Sequence, residues 1–382
     1  MIKVLFVSNS DDQYGSSKSL MGLLTEIKKD GLIEPILLTP IRNKLNDNCD
    51  SLGIENFVVK YQNVVYNKND KFVITLMRRM AYFLQNKFAL KKIKWQLRNS
   101  NIDLVHTNTT VVGIGQAYAS NQKIPHIQHI REFLDSDFNL VFFDKNYLKK
   151  TSKNNNYIAI SKIIEEYWIK QGLNMSNIEV IYNGVATQER KVKDFKQQKL
   201  CFTFVGAITP NKGQYELLTA LTFLEEKLIN QIEVDFWGTG QSEYLEELKR
   251  FCDTNQLNNV VSFKGYNSNI SNMLKDYHVG IVSSKKEGFG RVTAEFMINT
   301  MCVIASDTGA NPELITDLSS GCLYQSGNPK KLSEKITFVL ENREQASEMA
   351  NVAYDEAFEK YSVDLNAQRM TQKIMQIIET NR

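Results

Sequence analysis

Apolar residues follow two alternating rhythms along the chain. Runs such as "IKVLFVS", "EPILLTP", "NFVVKY", "DLVHTN", "PHIQHI", "NYIAIS" and "EVIYNGV" are short and mostly apolar, as strands buried on both faces of a parallel sheet should be. Between them lie amphipathic helical patterns such as "SLMGLLTEIKKDG", whose terminal Gly31 suits a helix stop. This alternation is βαβ syntax. It dissolves from Val185 to Leu200 into "VATQERKVKDFKQQKL", a polar stretch that reads as a linker. A second series then begins, with strands expected at "CFTFVGA", "QIEVDFWG", "VVSFKG", "HVGIVSS" and "CVIASD" and helices such as "QYELLTALTFLEE" and "SEYLEELKRFC" between them. After Lys331 only helical patterns remain. The expected fold class is α/β, two doubly wound domains in tandem, which puts a ligand cleft between the carboxyl ends of two sheets.

Composition narrows the function classes. A chain of 382 residues exceeds one core of ordinary size, so two domains are expected. A formal net charge of only +3 argues against a dedicated nucleic-acid binder. Five widely spaced cysteines, without a C-x-x-C pair, give no zinc or disulfide framework and suit a reducing cytoplasm. The opening "MIKVLFVS" goes straight into a strand pattern rather than a signal peptide, and no apolar run approaches the roughly 18 residues needed to span a bilayer.

Candidate chemistry centres on "EGFGRVTAE". Glu287 is expected in a loop after a buried strand, and Glu295 on a helix starting near Gly290. With a rise of about 1.5 Å per residue, Glu295 lies roughly 7 Å along the axis from a helix end that attracts anions. A phosphate at Gly290 and a hydroxylated group reaching Glu295 would use both features.

This E-x7-E segment, preceded by "SS" and followed by "ASDTGANPELI", resembles the signature of the retaining GT-B glycosyltransferases of family 4. The resemblance implies two Rossmann-like domains facing a central cleft, residues 1–184 on the acceptor side and 185–362 binding the nucleotide sugar, with a helix at about 363–382 packing back on the first. It implies that Glu295 holds the donor ribose, that Glu287 faces the transferred sugar, and that Gly288, Phe289 and Gly290 form the turn meeting the diphosphate. "VGAITPNKGQYELLTAL" resembles the segment in which Lys212 would grip the diphosphate. Ala207 stands where the family usually has an arginine, and Arg291 is the candidate replacement. In "SNSDDQYGSSKSLMGLL", Gly15 and Ser16 would let the backbone approach donor phosphate or acceptor. "HIRE" resembles the catalytic-face strand, with His129 beside the donor sugar and Arg131 and Glu132 on the acceptor side. "YNGV" resembles the crossing into the second domain, and "WGTGQSEYLEEL" with "FKGYNSNI" the walls of the base pocket, Tyr266 at its edge.

"DSD", Asp135 to Asp137, has the D-x-D form by which another glycosyltransferase fold binds metal, but it reads here as a turn. No obligatory metal or cofactor is expected; the nucleotide-diphosphate sugar is a co-substrate, and the acceptor a saccharide or lipid-linked saccharide. From Lys71 to Arg98 the chain carries eight Lys or Arg and no acid, interleaved with aromatics. Such a helix suits an anionic membrane surface, placing a cytoplasmic enzyme on the inner face of the membrane; a solvated core helix is the competing reading. Two other functions stay open: a nucleotide-sugar 2-epimerase on the same fold, and a catalytically inactive partner subunit.

Overall fold

In the computed structural model, residues 1–9, 15–134, 139–144, 146–151, 155–267 and 269–381 are described. The chain forms two compact units, Met1–Gly184 with Val363–Arg382, and Val185–Ser362.

In the first unit, β1 (Ile2–Val7), β2 (Ile33–Thr39) and β3 (Glu55–Val58) lie on one side of the sheet. A short β4 (Val65–Asn67) follows, then β5 (Leu104–Thr107), β6 (His126–Ile130), β7 (Leu140–Phe142), β8 (Asn156–Ala159) and β9 (Ile178–Val180). Seven of these make a sheet in the order β3-β2-β1-β5-β6-β8-β9. Its pairings are all parallel. The residues of β5 and β6 are all buried, which is why these strands read as unbroken runs. On one face the helices Gly15–Asp30 and Val363–Thr380 pack over Val4, Phe6 and Leu37, with Leu20, Leu24, Ile27, Met370 and Ile374 closing the core.

The second unit has β10 (Leu200–Val205), β11 (Ile232–Trp237), β12 (Val261–Gly265), β13 (Val279–Val282), β14 (Cys302–Ser306) and β15 (Cys322–Tyr324). The sheet order is β12-β11-β10-β13-β14-β15, and every pairing is parallel. Its core joins Phe202, Phe204, Phe236 and Ile281 to Leu217, Leu248, Ile336 and Met349 from the covering helices.

Three features differ from the pattern of the sequence. The antiparallel pair of β4 with β7 and the strand β15 span only three residues each, too short for periodicity to register. Residues 185–199 are not a solvated linker. Val185 N–H donates to Tyr361 O at 2.8 Å, Phe195 is buried in the second core, and Lys193 Nζ donates to Leu274 O at 3.0 Å and Lys275 O at 2.6 Å. Burial brings the Lys193 ammonium down to about 8. Two anchoring side chains in a polar stretch leave no period to read.

Candidate active site

In each sheet the strand order reverses beside its first strand, which places loops from both directions at one point on the carboxyl edge. In the second unit that point lies between β10 and β13. After β10 the chain makes a short turn, Pro210–Lys212, and enters the helix Gln214–Leu221 through Gly213 at φ 82°. Only glycine fits there, because a Cβ would lie 2.1 Å from Ser283 O. Lys285 N–H donates to Asn211 O at 3.0 Å and Ser283 Oγ to Gly213 O at 2.9 Å, so the loops after β10 and β13 are fastened to each other. The fastening sets Lys212 Nζ 2.6 Å from Glu287 Oε1.

Glu287 is held from behind. Ala310 N–H donates to Glu287 O at 2.9 Å, Thr308 Oγ1 donates to Ser284 O at 3.0 Å, and Asn311 accepts from Thr293 Oγ1 at 2.8 Å while donating to Ser306 O at 3.1 Å. The helix Arg291–Ile298 begins after Gly290 at φ 80°, so the positive end of its dipole follows Glu287 closely in sequence. One turn along, Arg291 Nε is 2.8 Å from Glu295 Oε1. Each motif acid therefore holds one cation, and both pairs are partly shielded from water.

Gly288 belongs to the same loop as Glu287. The Phe289 side chain is buried edge-to-face on Tyr361, so its ring packs the core and only its backbone is in the turn. Tyr266 is exposed at the end of β12, with β11 standing between its strand and β10. Ala207 presents no cation; its carbonyl accepts from Gln214 Nε2 at 2.8 Å.

In the first unit the predicted residues converge on a buried polar network. The Arg131 guanidinium donates to Asn108 O at 2.8 Å, Asn108 Oδ1 at 2.9 Å and Asn183 Oδ1 at 2.5 Å, and its Nη2 lies 3.2 Å from His129 Nδ1. A guanidinium only donates, so His129 Nδ1 accepts and its proton resides on Nε2. That Nε2 is buried without a partner among the described residues. Burial and then the Arg131 charge hold His129 well below the usual histidine range, so the ring is neutral. Glu132 accepts from Thr110 Oγ1 and its neighbour's N–H, both at 2.9 Å, while burial pushes its carboxyl up. Gly15 and Ser16 open the helix Gly15–Asp30, and Ser16 O accepts from Asn108 Nδ2 at 3.3 Å. Asp135 and Asp137 lie outside the described residues. Among the described residues no group of three or more His, Cys, Asp or Glu is placed to hold a metal ion.

Two family models cover most of the chain. The model described as glycosyl transferases group 1 matches residues 185–356, and that described as glycosyltransferase family 4 matches residues 36–189. The chain belongs to the family 4 glycosyltransferases. It is 23% identical to the capsular polysaccharide biosynthesis glycosyltransferase CapH of Staphylococcus aureus, over 82% of this chain and 84% of that one. It is 25% identical to the N,N'-diacetylbacillosaminyl-diphospho-undecaprenol alpha-1,3-N-acetylgalactosaminyltransferase of Campylobacter jejuni, over 89% and 90% of the two chains. The crystal structure of HepE of Anabaena in complex with UDP superposes with a TM-score of 0.80 at 18% identity, covering 98% of this chain and all of that one. The fold is accordingly GT-B.

In this glycosyltransferase, sequence reasoning passed over the residues that hold the motif in shape. Thr293, Gly309 and Asn311 lie inside or just after the signature, and Asn108 in "HTN"; none carries chemistry of its own that would mark it.

Proposed function

We propose that the protein is a retaining glycosyltransferase that moves a sugar from a nucleotide-diphosphate donor to an acceptor hydroxyl, in cell-surface polysaccharide synthesis on the inner face of the membrane. One observation carries this reading: Lys212 and Glu287 meet at 2.6 Å at the switch point of the second sheet, with Glu287 in the loop that leads into the Arg291–Ile298 helix. The barrier lies in expelling the diphosphate. The bond from the anomeric carbon to the phosphate oxygen breaks, that to the acceptor oxygen forms on the same face, and the leaving phosphate oxygen takes the acceptor proton. Lys212 and the helix end would stabilise the charge developing on the leaving group, where one preorganised contact is typically worth about 3 to 4 kcal/mol. Arg291, already beside Glu295, would supply the cation that Ala207 does not. Glu287 would orient the sugar, and His129, being neutral, would offer a hydrogen bond rather than a charge. Likeness to CapH and to the Campylobacter enzyme, whose name gives a diphospho-undecaprenol acceptor, supports a lipid-linked saccharide as acceptor.

The test is incubation of the purified protein with a panel of nucleotide sugars, uridine diphosphate sugars first, following slow donor hydrolysis and the anomeric configuration of any product. Lys212→Ala and Glu295→Ala are expected to lower turnover at least about tenfold with the fold intact. A chelator is expected to leave activity unchanged. Unchanged kinetics in either variant would remove its assigned role, and rescue by manganese after chelation would bring Asp135 and Asp137 back into play.

A further inference from the structure

Among the described residues, the helix Phe72–Gln96 is fixed to the rest of the first unit along one side. Asn86 exchanges hydrogen bonds with the Gln62 backbone at 2.8 and 3.0 Å, Tyr82 stacks on Phe143, and Ala89 and Ile93 are buried. At 3.6 residues per turn the opposite side carries Val73, Met77, Met80, Leu84, Phe88 and Trp95. A helix that merely rests on a core turns polar residues outward. Here Met80 and Leu84 are each 57% exposed, Phe88 68% and Trp95 61%.

Charge tells what covers this face. No acid occurs between Lys71 and Arg98, and Lys87, Lys91, Lys94 and Arg98 cluster in the last turns and just beyond, on the same outward side as the apolar residues. Arg78, on a different side, is paired with Asp70. Trp95 lies under the Arg98 guanidinium, 4.5 Å from ring centroid to carbon, an amphipathic pairing suited to a headgroup layer. No helix among the described residues is long and apolar enough to cross a membrane. An apolar stripe that shares its face with cations alone matches an anionic bilayer, which offers acyl chains below and phosphates above. We propose that the outward face of Phe72–Gln96 docks on anionic lipid, with Met77, Met80, Leu84 and Phe88 entering the headgroup–acyl boundary and the lysines reaching lipid phosphates. This is a property of one surface and stands without the reaction proposed above.

Vesicle binding tests it with no donor or acceptor present. The full chain is sedimented with vesicles of phosphatidylcholine and of phosphatidylcholine mixed with phosphatidylglycerol, beside Lys87→Glu/Lys91→Glu/Lys94→Glu and Leu84→Ser/Phe88→Ser variants. All five changed residues point to solvent or its edge, and matching thermal melts check the fold. Wild type is expected on the anionic vesicles, with binding that weakens as salt rises, and each variant is expected to lose about tenfold or more. Lys212→Ala is expected to bind as wild type does, which separates this result from any failure of the catalytic reading. Equal partition of the wild type and either variant would overturn the proposal. So would a dimer in light scattering that Leu84→Ser/Phe88→Ser dissolves while vesicles bind nothing, since the face would then belong to a second copy.

Discussion

Gly309 has φ 59°, and a Cβ placed on it would lie 2.2 Å from the carbonyl oxygen of Glu287 and 2.5 Å from its nitrogen. The residue therefore contributes an absence: its bare Cα lets the loop after β14 press against the loop that aims Glu287 at Lys212. Gly309→Ala should cost about 1 to 2 kcal/mol in backbone conformation and displace Glu287 as well. Turnover of donor is expected to fall about tenfold or more, while the melting temperature drops only a few degrees. Steady-state kinetics and a thermal melt on one preparation check this, and wild-type kinetics would show that the close approach is not needed. The motif acids themselves were legible, because "EGFGRVTAE" joins two carboxylates, a glycine turn and a helix start in nine residues. Gly309 was not, since what a glycine avoids is visible only beside its neighbour in space. His129 lies between these cases: its place on β6 was legible, but its burial against His106 and Arg131 depends on which strands become neighbours.

At the scale of elements, the central strands β5, β6, β13 and β14 could be read because every residue in them is buried, and no competing period intrudes. The helix Val363–Thr380 shows the limit of such reading. Its amphipathic pattern marks a helix, whereas nothing in that pattern says which surface its apolar stripe meets. It lies on Gly15–Asp30 at the far end of the sequence, with Asn366 Nδ2 donating to Tyr182 O at 2.6 Å. Met370 is fully buried there, and Met370→Ala is expected to cost about 2 to 5 kcal/mol. For a unit of this size that corresponds to a fall of roughly 4 to 20 °C in melting temperature. Lys373 on the same helix pairs with the half-exposed Glu179, and Lys373→Ala should change stability by less than about 1 kcal/mol. Calorimetry of the two variants should separate them clearly; similar small losses would mean that the helix is only loosely attached.

For the molecule as a whole, all four histidines, His106, His126, His129 and His278, are held below their ordinary range, and burial is the leading cause in each. His106 is brought down to about 3 and His126 to about 4. In the unfolded chain these rings take up protons as pH falls through roughly 6.5. The folded chain does not, so the unfolded state binds more protons and stability is lost as pH falls. Above about pH 6.5 both states are neutral and the effect vanishes. Each histidine adds at most about 1.4 kcal/mol per pH unit between there and its folded value, so the three of the first unit together reach about 4 kcal/mol per unit. Glu132 opposes them in part, because its raised carboxyl takes a proton in the folded state before it would in the unfolded chain. The expected outcome is a melting temperature flat from about pH 8 to 7 and falling steeply between about pH 6.5 and 5. His126→Asn should reduce that slope by about one proton, whatever it costs in absolute stability through its contacts with Thr107 and Asn155. A melting temperature unchanged down to about pH 5 would mean that these rings charge freely in the folded state, His129 among them, and an unaltered slope in the variant would mean that His126 does.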